Sequence, residues 1–304
     1  MHLLHFERIA AYCYRNETPM ITLKTEESIR EWIGSRKQEG KSIGFVPTMG
    51  ALHKGHLSLA EASKEENDYT IVSIFVNPRQ FNDPQDLIKY PRPIEEDKQL
   101  LEEINIDILF LPDVEDIYPP DVDAGIDFDP GPAAQTMEGQ FRPGHFKGMA
   151  EVVYRLLSIV EPHKLYMGQK DFQQFSIVRK MITDMDLPVA IEMCPTVREP
   201  NGLAMSSRNE RLSPDAREDA AIIYATLVDS QRMFEEGEDV DIVKKEAINA
   251  LTLPDFEPEY FEIVDGVSLK PITSMLDSQF IVACCAVRVE GVRLIDNAIW
   301  TRPE

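Results

Sequence analysis

The residues with the greatest chemical potential lie close together near the start of the chain: Pro47-Thr48-Met49-Gly50-Ala51-Leu52-His53-Lys54-Gly55-His56. An apolar run from Ile43 to Val46 leads into this segment, and a helical pattern continues from Gly55 to Ala62, so it reads as strand, turn and helix start. A helix start offers unpaired N–H groups and a partial positive charge, which suits phosphate. His53 and His56 are three apart and can face one ligand from the first helical turn. Gly55 leaves room for a base or a phosphate to approach the backbone. An imidazole pair can donate hydrogen bonds to the charge that grows on an α-phosphate under attack. Two blander readings compete: a capped helix with surface histidines, or half of a metal site, which would want further His or carboxylate ligands nearby.

Four later segments carry compatible chemistry. Leu203-Ala204-Met205-Ser206-Ser207-Arg208-Asn209 sets two hydroxyls and a guanidinium in succession, which suits a loop closing on polyphosphate, although it is also ordinary loop composition. Gly168-Gln169-Lys170-Asp171-Phe172-Gln173-Gln174 sits at a predicted strand-to-helix junction. There Lys170 could neutralise phosphate, and Asp171 is either a ribose or metal contact or the N-cap of the next helix. Asn77-Pro78-Arg79-Gln80-Phe81 follows a buried strand; its amides both donate and accept, as a hydroxy acid requires, with Phe81 and Met49 as apolar wall, and its blander reading is a turn plus a core aromatic. Tyr90-Pro91-Arg92 is followed by Glu96-Asp97, a pair that could hold Mg²⁺ beside a triphosphate or simply be solvated.

These segments need a scaffold, and the chain supplies one. Helical patterns over 26–37, 95–104, 148–160 and 172–185 alternate with apolar strand patterns over 43–46, 70–76, 107–111, 164–167 and 189–194. Alternation of this kind predicts a parallel sheet covered by helices on both faces, an α/β domain that binds ligands at the carboxyl ends of its strands. After about Thr196 the order changes. Ser213-Pro214 caps a helix expected to reach Phe234, a second helix spans 239–251, and strand patterns follow over 260–264, 280–289 and 291–295. The predicted organisation is an extension at 1–20, a nucleotide-binding domain at 21–195 and a smaller α+β lid at 196–304. Asp121 to Pro132 is rich in Asp, Pro and Gly and reads as a mobile loop.

With 31 Lys and Arg against 53 Asp and Glu, the net charge of -22 repels nucleic acid and anionic membranes, and no long basic run offsets it. No stretch is long enough to span a membrane. Cys13, Cys194, Cys284 and Cys285 lack metal-ligand spacing and fit a reducing cytoplasm. Residues before Met20 lack the pattern of a signal peptide and read as an upstream extension or a start codon placed too early.

The pairing of His53-Lys54-Gly55-His56 with Met205-Ser206-Ser207-Arg208 resembles the two signatures of the class I aminoacyl-tRNA synthetase and nucleotidylyltransferase superfamily. Within it the chain resembles the pantothenate synthetase family, the AMP-forming pantoate–β-alanine ligases, from about Thr22 to Asn297. The likeness rests on 46–56, Ser73-Ile74-Phe75-Val76 with Asn77 to Phe81, Arg142-Pro143-Gly144-His145-Phe146, 168–174 and 205–209. It implies a Rossmann-like domain with a C-terminal lid, assembled as a homodimer. It implies that Met49, Gly50, Ala51, Leu52, His53, Lys54, Gly55, His56, Gly168, Gln169, Lys170, Asp171, Met205, Ser206, Ser207 and Arg208 bind ATP. His53, His56, Lys170 and Arg208 would act catalytically, with His56 written as proton donor. Gln80 and Gln174 would hold pantoate, Asn77 and Arg142 would be further polar groups, and Asp97 with Glu96 would fall where the family places magnesium carboxylates. β-Alanine would attack the resulting pantoyl adenylate. Position 169 is Gln where relatives often carry Glu, and Met149-Ala150-Glu151 replaces a smaller, more apolar stretch at the pantoate wall. The alternatives are another nucleotidylyltransferase, which would keep the nucleotide in its product, and a non-catalytic nucleotide-binding module.

Overall fold

The computed structural model describes residues 19–81, 87–88, 90–120 and 125–301. Most of the expected N-terminal extension (1–18, with Cys13) and the start of the expected mobile loop (121–124) therefore lie outside the described residues.

The first sheet is built by strands that follow the alternation of the sequence: β1 (Ile21–Leu23), β2 (Ile43–Thr48), β3 (Tyr69–Ile74), β4 (Ile108–Phe110), β5 (Lys164–Gly168) and β6 (Ala190–Cys194). They form one six-stranded sheet in the order β1-β4-β3-β2-β5-β6, with every pair parallel. The helices between them are α1 (Glu26–Gln38), α2 (Lys54–Glu66), α3 (Ile94–Glu103), the short α4 (Val114–Ile117) and α5 (Glu138–Phe141), α6 (His145–Val160) and α7 (Phe172–Asp184). Successive strand side chains point to opposite faces. Ile43, Phe45, Ile71, Ile108, Phe110, Leu165 and Met167 accordingly pack on α1, α6 and α7. Val46, Val72, Leu109 and Tyr166 face the other way, onto α2 and α3. Burying each such side chain contributes on the order of 1.5–3 kcal/mol, so this alternation fixes which face every helix covers. The three-residue β1 was not legible as a strand; it exists through its pairing with β4.

The strand order reverses beside β2. β3 and β4 lie on one side of it and β5 and β6 on the other. β2 and β5 pair only at Gly44–Lys164 and Phe45–Leu165. Beyond that pairing they part, and Pro47, which has no N–H for a ladder, lies past the last pair. A crevice therefore opens at the carboxyl ends of β2 and β5, where an open parallel sheet binds ligands.

The C-terminal part holds α8 (Pro214–Asp219), α9 (Ile222–Glu235), α10 (Val240–Leu251) and an antiparallel sheet of β7 (Phe256–Asp265), β8 (Phe280–Val289) and β9 (Val292–Thr301). Three expectations need correction. The helix predicted to run from Pro214 to Phe234 is two helices broken at Ala220-Ala221. No Gly or Pro marks this break; it is set by packing, with Ala220 fully buried in the C-terminal core. β7 begins earlier than predicted because Pro258 is tolerated on an edge strand, with an irregularity between Pro258 and Tyr260. β9 runs past Ile295 because the polar pair Asp296-Asn297 is buried rather than a strand end. Met137 and Phe172 pack with Val264, Leu269, Val282 and Cys284 and join the two sheets. Among the described residues no helix is long and apolar enough to cross a membrane.

Candidate active site

The first half of the site is the turn after β2. Thr48 Oγ1 donates to the Ser73 carbonyl at 2.7 Å and accepts from the Gly50 N–H at 3.2 Å, which pins the strand end. Gly50 (φ 80) and Ala51 (φ 51) both adopt left-handed backbone. Glycine does so freely, whereas alanine is strained by on the order of 1 kcal/mol or more. The strained turn aims successive N–H groups at one point, a ready anion nest. Asp97 of α3 fills it: its carboxylate accepts from Ala51 N–H at 2.9 Å and Leu52 N–H at 2.7 Å. A Cβ at Gly50 would stand 3.0 Å from that carboxylate and 3.0 Å from Ile74, and the positive φ would strain any side chain there, so glycine suits the clamp.

The turn delivers His53 as the N-cap of α2, with Nδ1 accepting the Gly55 N–H at 3.1 Å. A Cβ at Gly55 would lie 2.9 Å from the His53 ring, so this glycine lets the imidazole fold back over the helix start. The His53 and His56 rings lie 4.1 Å apart, centroid to centroid, tilted by 35°. Burial lowers His53 to a pKa of about 4, helped by the positive charge of Lys170. Burial lowers His56 to about 3, helped by His53 and Lys170. Both are neutral at neutral pH, so His56 is a hydrogen-bond donor there and not an imidazolium. Its Nδ1 is buried with no hydrogen-bond partner, an unmet valence that a polar ligand would complete.

The second half comes from β5. Its carboxyl end, Gly168, continues into a 3-10 turn over Gln169–Asp171. Because β5 neighbours β2, Lys170 projects its field onto both histidines. The cap reading of Asp171 is not realised: it occupies the N-cap position of α7 but makes no side-chain cap bond, stays exposed and stands 3.9 Å from Lys170 Nζ. The Gln169 side chain is committed to Asn297, its Nε2 donating at 3.1 Å.

The third segment arrives from the C-terminal part. Arg198 and Ala204 form an antiparallel bridge, and Met205 N–H donates to Val197 O at 3.0 Å, so a narrow hairpin carries the loop. Ser206 caps the following 3-10 turn over Ser207–Arg211 by accepting from the Arg208 N–H. Met205 lies over Gly55, its Cβ 4.0 Å from where a side chain would begin, so the two signature segments meet. Tyr90 reaches Ser207 by a side-chain hydrogen bond and feels the charges of Arg208 and Asp97. Lys170, Asp171, Ser206 and Arg208 line one cavity of about 340 Å³ with Phe81, Arg142 and Arg293.

The amide segment after β3 is largely self-satisfied. Asn77 is buried, donates to Gly148 O and Gln80 Oε1, and accepts from Arg79 N–H and the Tyr118 hydroxyl. Both amide hydrogens and both carbonyl lone pairs are thereby used, which makes Asn77 a support for Gln80 rather than a free substrate contact. Gly148 is obligatory in this arrangement, since a Cβ would collide with the Arg79 carbonyl. Gln80 Nε2 rests on Met49 Sδ at 2.6 Å, and its backbone carbonyl contacts His145 Nδ1 at 3.2 Å. His145, Arg142 and Gln174 line a smaller cavity beside Lys170. Glu151 is buried and pairs with Arg79 at 3.4 Å. Lys54 points outward and is exposed.

Sequence reasoning missed four contributors. Glu138 is buried and accepts from Arg293 at 2.6 and 2.7 Å and from the Tyr260 hydroxyl at 2.8 Å, joining the two parts of the chain beside Arg142. Gln173 ties α7 to Ala133 and Thr136. Asp296 binds Arg198, and Asn297 binds the Gln169–Lys170 turn. Only Glu138, four residues before Arg142, carried a signal in the sequence; the other partners lie far apart in the chain.

The two carboxylates expected at magnesium are placed differently from one another. Each oxygen of Asp97 accepts one N–H of the turn, the residue is 1% exposed, and Glu96 faces solvent. Among the described residues no group of three or more His, Cys, Asp or Glu side chains could hold a metal ion.

Comparison with known proteins agrees with this architecture. The family model for pantoate-beta-alanine ligase matches residues 21–299. A pantothenate synthetase of Azobacteroides pseudotrichonymphae is 47% identical over 92% of this chain and 100% of its own length. The crystal structure of pantothenate synthetase from Thermus thermophilus superposes with a TM-score of 0.85 at 39% identity, covering 92% of this chain and 99% of that one. A Francisella tularensis pantoate-beta-alanine ligase, solved with beta-gamma ATP and beta-alanine, gives a TM-score of 0.75 at 36% identity, covering 92% and 97%.

Proposed function

The chain belongs to the pantoate–β-alanine ligase family, and from that premise we propose that the crevice between β2 and β5 is its catalytic site. The reaction is the ATP-dependent condensation of pantoate with β-alanine, through pantoyl adenylate, releasing pyrophosphate and AMP. The observation that carries the site assignment is convergence: one lysine's charge is felt by both histidines, and Met205 covers Gly55 between them.

In the first step a pantoate carboxylate oxygen attacks the α-phosphorus, and the bond to pyrophosphate breaks. No protein nucleophile is needed; in-line placement and charge neutralisation suffice. His53 and His56 would donate from neutral imidazoles, and Lys170, Ser206, Ser207 and Arg208 would bear on the phosphates. Met49 to His56, Gly168 to Asp171 and Met205 to Arg208 would enclose the nucleotide. Gln80 and Gln174 would hold pantoate, Gln80 by exchanging its contact with Met49 for the ligand. Arg142 would add positive charge, and Asn77 and Asp97 would act as supports. In the second step the neutral amine of β-alanine attacks the activated carbonyl, AMP leaves, and the ammonium proton passes to phosphate or water.

Mg²⁺ is read as part of the substrate, entering on the triphosphate instead of being held by Asp97 and Glu96. Residues 21–195 would bind both substrates, and 196–304 would close over them and exclude water. The reading also assigns a homodimer in the cytoplasm, the latter supported by the free buried thiols Cys194, Cys284 and Cys285.

Pantoate-dependent exchange of labelled pyrophosphate into ATP tests the proposal. Exchange that requires pantoate, with free AMP after β-alanine is added, is the expected result. A stable dinucleotide product would point to another nucleotidylyltransferase, and binding without turnover to a non-catalytic module.

A further inference from the structure

Two polar residues lie buried in the middle of β9: Asp296 is 4% exposed and Asn297 2%. Burying a carboxylate and an amide is costly unless each is fully partnered. Both are, and the partners belong to the two segments that approach the phosphates. Asn297 Nδ2 donates to the carbonyls of Gln169 and Lys170, each at 2.9 Å, while its Oδ1 accepts from Gln169 Nε2. Asp296 takes the Arg198 guanidinium bidentately at 2.6 and 3.0 Å and accepts the Asn297 N–H at 2.8 Å. Arg198, stacked 3.6 Å from the Tyr224 ring centroid, bridges to Ala204 at the root of the Met205–Asn209 loop. One side chain therefore grips the Lys170 turn, and its neighbour grips the stem of the Ser206–Arg208 loop. Strand pairing does not require either side chain, since β9 bonds β8 through its backbone.

We propose that Asp296 and Asn297 are positioning residues that set Lys170 and Ser206–Arg208 at a fixed spacing on the nucleotide's phosphates. Docking of the C-terminal sheet and assembly of the cationic set then become one event. Both line the cavities beside Lys170, and in this proposal Asn297 acts through Lys170 while Asp296 acts through Arg198. The inference rests on the ligase reading above, because it presumes that both segments grip one triphosphate.

The test is pantoate-dependent pyrophosphate–ATP exchange by the full chain, carrying Asn297→Ala alone and combined with Lys170→Ala. Asn297→Ala is expected to lower the exchange rate roughly tenfold to fiftyfold, with the KM for pantoate unchanged within about twofold. In the Lys170→Ala background the same change should cost less than about twofold, because its route of action is already lost. Asn297→Ser, which keeps one donor, should recover part of the rate; it also replaces Asn297→Ala in the cycle if that variant does not fold. Equal fold-losses in both backgrounds, or wild-type exchange by Asn297→Ala, overturn the proposal. Absence of exchange in the unmodified chain overturns the ligase reading and this proposal with it, whereas exchange there with an unaffected variant overturns this proposal alone.

Discussion

The turn at Gly50–Leu52 and the loop at Ser206–Arg208, both proposed to face one nucleotide, are held differently. The first is fixed within its own sheet: Asp97 on α3 fills its N–H groups, Thr48 ties it to β3, and a left-handed alanine is tolerated because these bonds over-determine it. The second is capped by its own Ser206 and anchored at its stem to Asp296 of β9. One segment is held by the parallel sheet that carries it, and the other by the C-terminal sheet. The histidines are half-buried and neutral on the first sheet's side, whereas the arginine and hydroxyls stand on a loop whose stem is held by the C-terminal sheet.

Substitutions in the two segments should therefore have different consequences. The largest effect is expected at the preformed side: His56→Ala should leave the fold intact and lower adenylate formation roughly a hundredfold or more, measured by pyrophosphate exchange. Near-normal turnover would remove His56 from the role. Next, Asp97→Ala and Arg208→Ala should separate stability from rate. Loss of the buried clamp should destabilise the chain by about 2–4 kcal/mol in denaturant unfolding, because two buried N–H groups lose their acceptor. Arg208→Ala should change stability by less than about 0.5 kcal/mol yet slow turnover roughly tenfold or more. Equal stability losses would show that the two segments are held alike.

The smallest effect concerns pH. Burial lowers His53, His56 and His145 to about 4, 3 and 4 from an ordinary value of 6.5. Between those values the unfolded chain binds more protons than the folded one, so stability rises with pH through this window and falls as pH drops below 6.5. Histidine NMR spectra at about pH 5.5, a point inside that window, should show His56 neutral; a titration near 6.5 would contradict its burial.

Much of this was legible in the sequence because local patterns carry it. Alternating apolar strands and periodic helices fixed the parallel sheet, and the strand–turn–helix around His53 and His56 marked the end proposed to bind the nucleotide. The lysine after β5 and the hydroxyl loop after Ala204 were equally plain as residue types in suitable places. Asp97 was read with its acidic neighbour as a metal pair, and its hydrogen bonds from the N–H groups of Ala51 and Leu52, some forty-five residues away, left no trace in the sequence. A carboxylate's type says that it will accept hydrogen bonds but not from what.

The amino-acid order by itself determined the fold class, the chemical inventory of the site and the family. Tertiary structure alone decided the partnerships: that Asn77 is spent on its neighbours, that Glu138 receives Arg293, and that Asp296 and Asn297 reach across to Arg198 and the Lys170 turn. The physical reason is range. Periodicity and capping act within a few residues and leave a trace in every window, whereas a buried hydrogen bond between distant segments depends on which surfaces the packed sheets bring together.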